Sequence, residues 1–171
     1  LPPAVAGFGQ IPAERRQIGG RAQPNAGMHP VLGSAHERIG CCVLAELAAS
    51  GEVRREEIIV VSKIGYVQGQ NLKLAEAKDK SGRPYPELVK YGEGIWHCIH
   101  PEFLADQLTL SLDRLGLATL DCCLLHNPEY FLSESRHRGP ADLTTLRGEF
   151  YARLERAFAY FETQVSAGRL R

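Results

Sequence analysis

The sequence predicts an α/β fold built on parallel strands, and three observations predict it. Ile58-Ile59-Val60-Val61-Ser62-Lys63 and Leu117 to Leu125 are apolar, partly β-branched runs with no polar alternation. Strands of a parallel sheet, buried on both faces, read this way. Amphipathic helical patterns stand before, between and after these runs. The order is therefore helix, strand, long connection, helix, strand, helix, and alternation of β with α argues for a parallel sheet.

Each element has its own signals. Residues 1–33 carry several Gly and Pro, the pair Arg15-Arg16 and no sustained periodicity, and are expected to be an irregular or weakly ordered arm. Ser34 can cap a helix with Ile39, Val43, Leu44 and Leu47 at helical spacing. Glu37, three residues on, completes a capping box, and Gly51 suits the position after the last turn. Gly65 to His100 is a long mixed connection with a short helix expected at Asn71 to Lys80. Connections of this length are usually functional or disordered, and its Tyr85, Tyr91, Trp96 and His97 suggest packing. Pro101 opens a helix whose stripe is Leu104, Leu108, Leu112 and Leu115, stopped by Gly116. Ser133 to Gly139 reads as a polar stretch. Pro140 then leads into a long helix striped by Leu146, Phe150, Leu154, Ala157, Phe158, Phe161 and Val165, with Gly168 as its stop. Trp96, Phe103, Phe158 and Phe161 are expected in the core. Two strands leave the sheet with bare edges and an open face, so no closed architecture is expected.

Composition narrows the function. The 171 residues carry 20 Lys plus Arg against 20 Asp plus Glu, a formal net charge of zero, which removes the footprint of a general nucleic-acid binder. At 44% hydrophobic and 23% charged residues, wholesale disorder is disfavoured. The longest apolar runs are far too short to span a bilayer, and the start shows no secretory pattern, so no membrane partner is expected. The only Met is Met28, which suggests a processed or partial product. Cys41-Cys42 and Cys122-Cys123 are adjacent pairs, and Cys98 stands alone. Neighbouring cysteines rarely bridge, so both pairs read as small buried hydrophobes in a reducing cytoplasm. His97-Cys98-x-His100 and Cys122-Cys123-x-x-His126 lack the paired spacing of zinc sites, and no metal is assigned.

Ligands of parallel α/β folds bind at the carboxyl ends of the strands. Both strands end in an ionisable residue, Lys63 and His126. Adjacent parallel strands place such a pair roughly 5 to 10 Å apart on one rim. A Lys and a neutral His there can polarise a carbonyl or tune a neighbouring hydroxyl.

A resemblance rests on the same residues. Glu37-Arg38-Ile39-Gly40 followed by the strand closing in Ser62-Lys63 resembles the aldo-keto reductase family. Leu108 to Gly116 and Leu120-Asp121-Cys122-Cys123-Leu124-Leu125-His126 resemble its "SL-x-RLG … D-x-x-LLH-x-P" stretch. Val165 to Arg171 resembles the segment preceding the next barrel strand, and the long 65–100 connection resembles that of a bacterial, galactose-dehydrogenase-like subgroup. The similarity covers about residues 34–171. It implies a partial (β/α)8 TIM barrel, roughly its third and fourth βα units with flanking helices. It also implies an NAD(P)H-dependent oxidoreductase of aldehydes, ketones or sugars. In that family a Tyr protonates the carbonyl oxygen, a Lys paired to an Asp lowers the Tyr pKa, and a His orients the carbonyl. Lys63 matches the Lys and His126 the His. Tyr66 and Asn127, just past the strand ends, would line the substrate pocket.

The departures set the expected state. No Tyr lies between Leu1 and Lys63, residues 1–33 contain no Asp, and no residue of the chain can be assigned to NAD(P)H. A barrel needs roughly 250 residues. The reading is thus an incomplete reductase chain, inactive alone. The alternative is a non-catalytic remnant that binds a partner or associates with itself through exposed barrel edges.

Overall fold

The structure, a computed structural model, describes residues 4–6, 43, 44, 46, 47, 49–137 and 142–171. The expected helix start at Ser34 and Glu37, the motif 37–40 and the pair Cys41-Cys42 lie outside these residues. Val43, Leu44, Glu46, Leu47, Ala49 and Ser50 are helical, and Gly51 follows at φ +71°.

A short β-strand, β1 (Ala4–Ala6), lies within the expected arm and pairs in parallel with β2 (Ile58–Ile64), Val5 opposite Ile59. The other residues of 1–33 lie outside the described ones. β2 pairs in parallel with a strand at Cys122–Leu125, which is narrower than the expected 117–125. Leu117 to Thr119 serve instead as the approach from the preceding helix. Leu120 makes a separate parallel bridge to Leu170, with its N–H donating to Arg169 O and its carbonyl accepting from Arg171 N–H. The N–H of the next residue, Asp121, donates to Val60 O. Successive strand residues point their N–H groups to opposite edges, so Leu170 enters on the side away from β2. The parallel order therefore follows the chain, from β1 through β2 and Cys122–Leu125 to Leu170.

The long connection is not an open loop. It carries β3 (Tyr66–Val67), helix α1 (Gln70–Lys80), β4 (Val89–Gly92) and β5 (Ile95–His97). These strands form a second, antiparallel sheet in the order β3-β5-β4. Helix α2 (Pro101–Leu115) follows, then β6 (Cys122–Leu125), α3 (Tyr130–His137) and α4 (Leu143–Ser166). Helix α3 takes up the expected polar stretch from Ser133 as far as His137, and Phe131 at its start faces α4. The Arg153 guanidinium lies 4.0 Å over the Phe131 ring.

The helix ends behave as their residues dictate. Pro101 occupies the first turn of α2 behind His100, whose Nδ1 accepts from Glu102 N–H, and Gly116 closes it at φ +64°. Asp142 caps α4, accepting from the N–H groups of Thr144 and Thr145.

Helices cover one face of the parallel sheet. Ile58, Val60 and Ile64 pack with Leu104, Leu108, Leu112, Leu120, Ala157, Phe161 and Leu170, with Cys123 and Leu125 against them. Phe103 on the same α2 is buried in a second cluster with Val67, Ala75, Tyr85 and Cys98. Helix α2 thus joins the two sheets. The opposite face carries Ile59, Val61, Lys63, Cys122 and Leu124, of which Lys63 and Leu124 are exposed. Two stripe residues of α4 depart from expectation. Phe158 and Val165 are exposed, because the buried arc at 100° per residue runs through Leu154, Ala157 and Phe161. Among the described residues the strands make two open three-stranded sheets and no closed barrel, and no helix is long and apolar enough to cross a membrane.

Candidate functional site at the strand ends

Lys63 and His126 come together. Lys63 stands opposite Leu124, and Ile64 opposite Leu125. His126 N–H then donates to Ile64 O at 2.8 Å, which fixes the histidine one step beyond the ladder. Burial pushes the His126 imidazole below its ordinary pKa, the Lys63 cation lowers it further, and Glu129 opposes both. His126 is therefore neutral at pH 7 beside an exposed ammonium. Replacing Lys63 with Met removes that cation and should raise the His126 midpoint, read from its ring resonances in an NMR pH titration. A midpoint that stays put or falls would separate the two residues electrostatically.

Tyr66 joins them. Its ring meets the His126 ring edge-on, with centroids 4.2 Å apart. Its hydroxyl is 2.6 Å from the Tyr130 hydroxyl. That hydrogen bond, followed by burial, pushes Tyr66 up to about 12. A phenol held this way is a weaker acid than an ordinary tyrosine, the opposite of what a proton donor near neutral pH requires. Asn127 sits at φ +50°, a conformation asparagine tolerates better than most residues, and its Nδ2 donates to Glu129 Oε1 at 3.1 Å. Its side chain closes the turn after β6.

The same rim holds residues the sequence did not single out as a site. His97, at the end of β5, is buried and its Nε2 hydrogen bonds to His126 O. A carbonyl can only accept, so Nε2 carries the proton. Burial holds His97 below its ordinary pKa. Tyr91 stacks on Tyr130 at 4.2 Å with ring planes 7° apart. Gly65 makes the convergence possible. It lies at φ +136°, and a Cβ there would come within 2.9 Å of His97 Nε2 and 3.1 Å of His126 O. Composition around Tyr91 and His97 hints at packing, but the approach of His97 to His126 depends on pairing across the second sheet.

Burial pushes the Cys123 thiol up to about 12, which keeps it protonated. The described residues contain no group of three metal-ligating side chains. A cleft of about 500 Å³ lies among Tyr85, Glu87, Lys90, Phe131 and Arg153, and holds neither Lys63 nor His126.

A dinucleotide would need a phosphate cradle. The helix N-terminus that follows β6, that of α3, already uses its first N–H groups on the carbonyls of Asn127, Pro128 and Glu129. The described residues of this rim do not fit such a group. Comparison with family models, with curated proteins and with solved structures finds no match to this chain.

Proposed function

We propose that this chain carries the carbonyl-binding portion of an aldo-keto-reductase-like oxidoreductase site, for an aldehyde, ketone or sugar, on part of a (β/α)8 barrel wall. The observation that carries this reading is the meeting of Lys63 and His126 at the carboxyl ends of neighbouring parallel strands. Two features support it further. Strands that follow one another in chain order, without a reversal, are the order of a barrel wall rather than of a doubly wound sheet. A neutral imidazole beside an ammonium supplies two donors for one carbonyl oxygen, and its polarisation is the work such a pair performs. NAD(P)H would be the hydride source in a complete enzyme of this kind, and the described rim gives it no seat. Binding and polarising the carbonyl is therefore the part that Lys63 and His126 can play.

The chain by itself should bind and not turn over. Titration with a simple methyl ketone should shift the His126 ring resonances with a dissociation constant of about 1 to 10 mM, and Lys63→Met should abolish the shift. No movement in the wild type rules the reading out. NAD(P)H oxidation with a simple aldehyde should stay at background. Turnover would mean that a proton donor is present after all.

One observation favours a second reading, a non-catalytic remnant that binds a partner. The sheet face bearing Lys63 and Leu124 has no helix over it among the described residues, and Leu124 is 45% exposed.

A further inference from the structure

Helix α4 buries one side and exposes an apolar stripe on the other. Tyr151, Phe158 and Val165 are 65%, 54% and 48% exposed, although such side chains are normally covered. They recur every seven residues, the interval that keeps side chains on one helix face. Arg147, Glu155 and Glu162 are exposed along the same arc. The ion pairs of this helix use Glu149, Arg153 and Arg156. Arg147, Glu155 and Glu162 make no ion pair among the described residues.

The order of four of these groups reads the same in both directions, while Glu155 falls beside its own copy near the centre. Arg147, Tyr151, Phe158 and Glu162 are spaced by four, seven and four residues. A two-fold axis near residues 154 and 155 therefore sets Arg147 of one chain against Glu162 of the other, and Tyr151 against Phe158, twice over. Isologous contacts require such self-complementarity. A single charged stripe would repel its copy; this one places opposite charges at both ends.

We propose that the exposed α4 face docks a second copy of this chain, antiparallel, with Tyr151 and Phe158 as the apolar centre and Arg147–Glu162 pairs closing each end. The occupant is a second copy because the end charges of the stripe complement each other, giving two Arg147–Glu162 attractions against one Glu155–Glu155 approach near the axis. The contact uses a helix face, not the strand edges. One helix face, about 36 Å long, is a small interface, so association belongs in the range of about 1 to 100 µM.

Sedimentation equilibrium of the whole chain over a dilution series tests this. The wild type should pass from dimer to monomer on dilution. Arg147→Glu and Glu162→Arg should each weaken the dimer by about tenfold or more, since each turns two attractions into repulsions. The double variant should return to within about threefold of wild type. Phe158→Ala should weaken it without altering helix content by circular dichroism. A wild type that remains monomeric at the highest concentration overturns the proposal. So does a dimer indifferent to the single reversals, or one the double variant fails to restore.

Discussion

Leu108→Ala should lower the free energy of unfolding by about 3 to 5 kcal/mol, seen as a reduced urea midpoint with an unchanged slope. Leu108 is fully buried in the middle of α2. It packs among Ile58, Val60 and Ile64 of the parallel sheet and Ala157 and Phe161 of α4. Truncation removes the transfer free energy of the lost carbons and leaves a void that strand and helix backbones cannot collapse to fill. A loss of this size is a large part of the roughly 5 to 15 kcal/mol that holds a typical domain together. Leu74→Ala is the matched control. Leu74 is 52% exposed on α1, so its replacement should stay within about 0.5 kcal/mol of wild type.

Asp121→Ala comes second, with an expected loss of about 2 to 4 kcal/mol, below the range for a fully buried pair because the arginines are partly solvated. The Asp121 carboxylate is 10% exposed and ties three pieces of chain together. It accepts from Val60 N–H at 2.8 Å on β2, from Arg55 Nη2 at 2.7 Å in the turn before it, and from Arg171 Nη1 at 2.9 Å. Without it, a main-chain donor and a half-buried guanidinium lose their acceptor. Burial alone would push this carboxyl up. The Val60 N–H and the Arg55 charge outweigh burial and hold it below the usual carboxylate range. A folded-state pKa below the unfolded one gives stability that is present above the unfolded value, about 3.9. That stability is lost as pH falls through the folded value. The difference between wild type and Asp121→Ala should therefore be full at pH 7 and shrink below about pH 4. A gap constant from pH 7 to pH 2 would show that the carboxylate charge contributes nothing.

What the sequence discloses follows the range of each interaction. β2 and α2 are legible because their signals are local: an unbroken β-branched run from Ile58, and a leucine stripe between Pro101 and Gly116. β1 is not, since Ala4-Val5-Ala6 is too short to show a period and exists through its pairing with β2. The β4–β5 hairpin leaves a trace in Glu93-Gly94 between two short runs, with Gly92 paired to Ile95. Its strands of four and three residues disappear within a mixed segment. Helix α4 is plain in the sequence, but an apolar stripe read one residue too wide puts Phe158 inside. At the site, Lys63 and His126 are visible as strand ends and Tyr66 by adjacency. His97 and Tyr130 are not, because His97 reaches His126 through the second sheet and Tyr130 meets Tyr66 and His97 from α3. Asp121 marks the resemblance, yet its clamp on Arg55, Val60 and Arg171 belongs to the folded chain alone.

The chain-ordered parallel sheet also sets a timetable for synthesis. Ala4 pairs 54 residues ahead with Ile58, Val61 pairs 61 ahead with Cys122, and Leu120 pairs 50 ahead with Leu170. At translation rates of about 5 to 20 residues per second, each strand leaves the ribosome about 3 to 12 s before its next neighbour. During that interval its hydrogen-bonding edge is bare, and the helices made in between can cover only its face. For β2 the helix made in that interval that packs on its face is α2, so the leucine stripe that holds the finished core covers that face before β6 arrives.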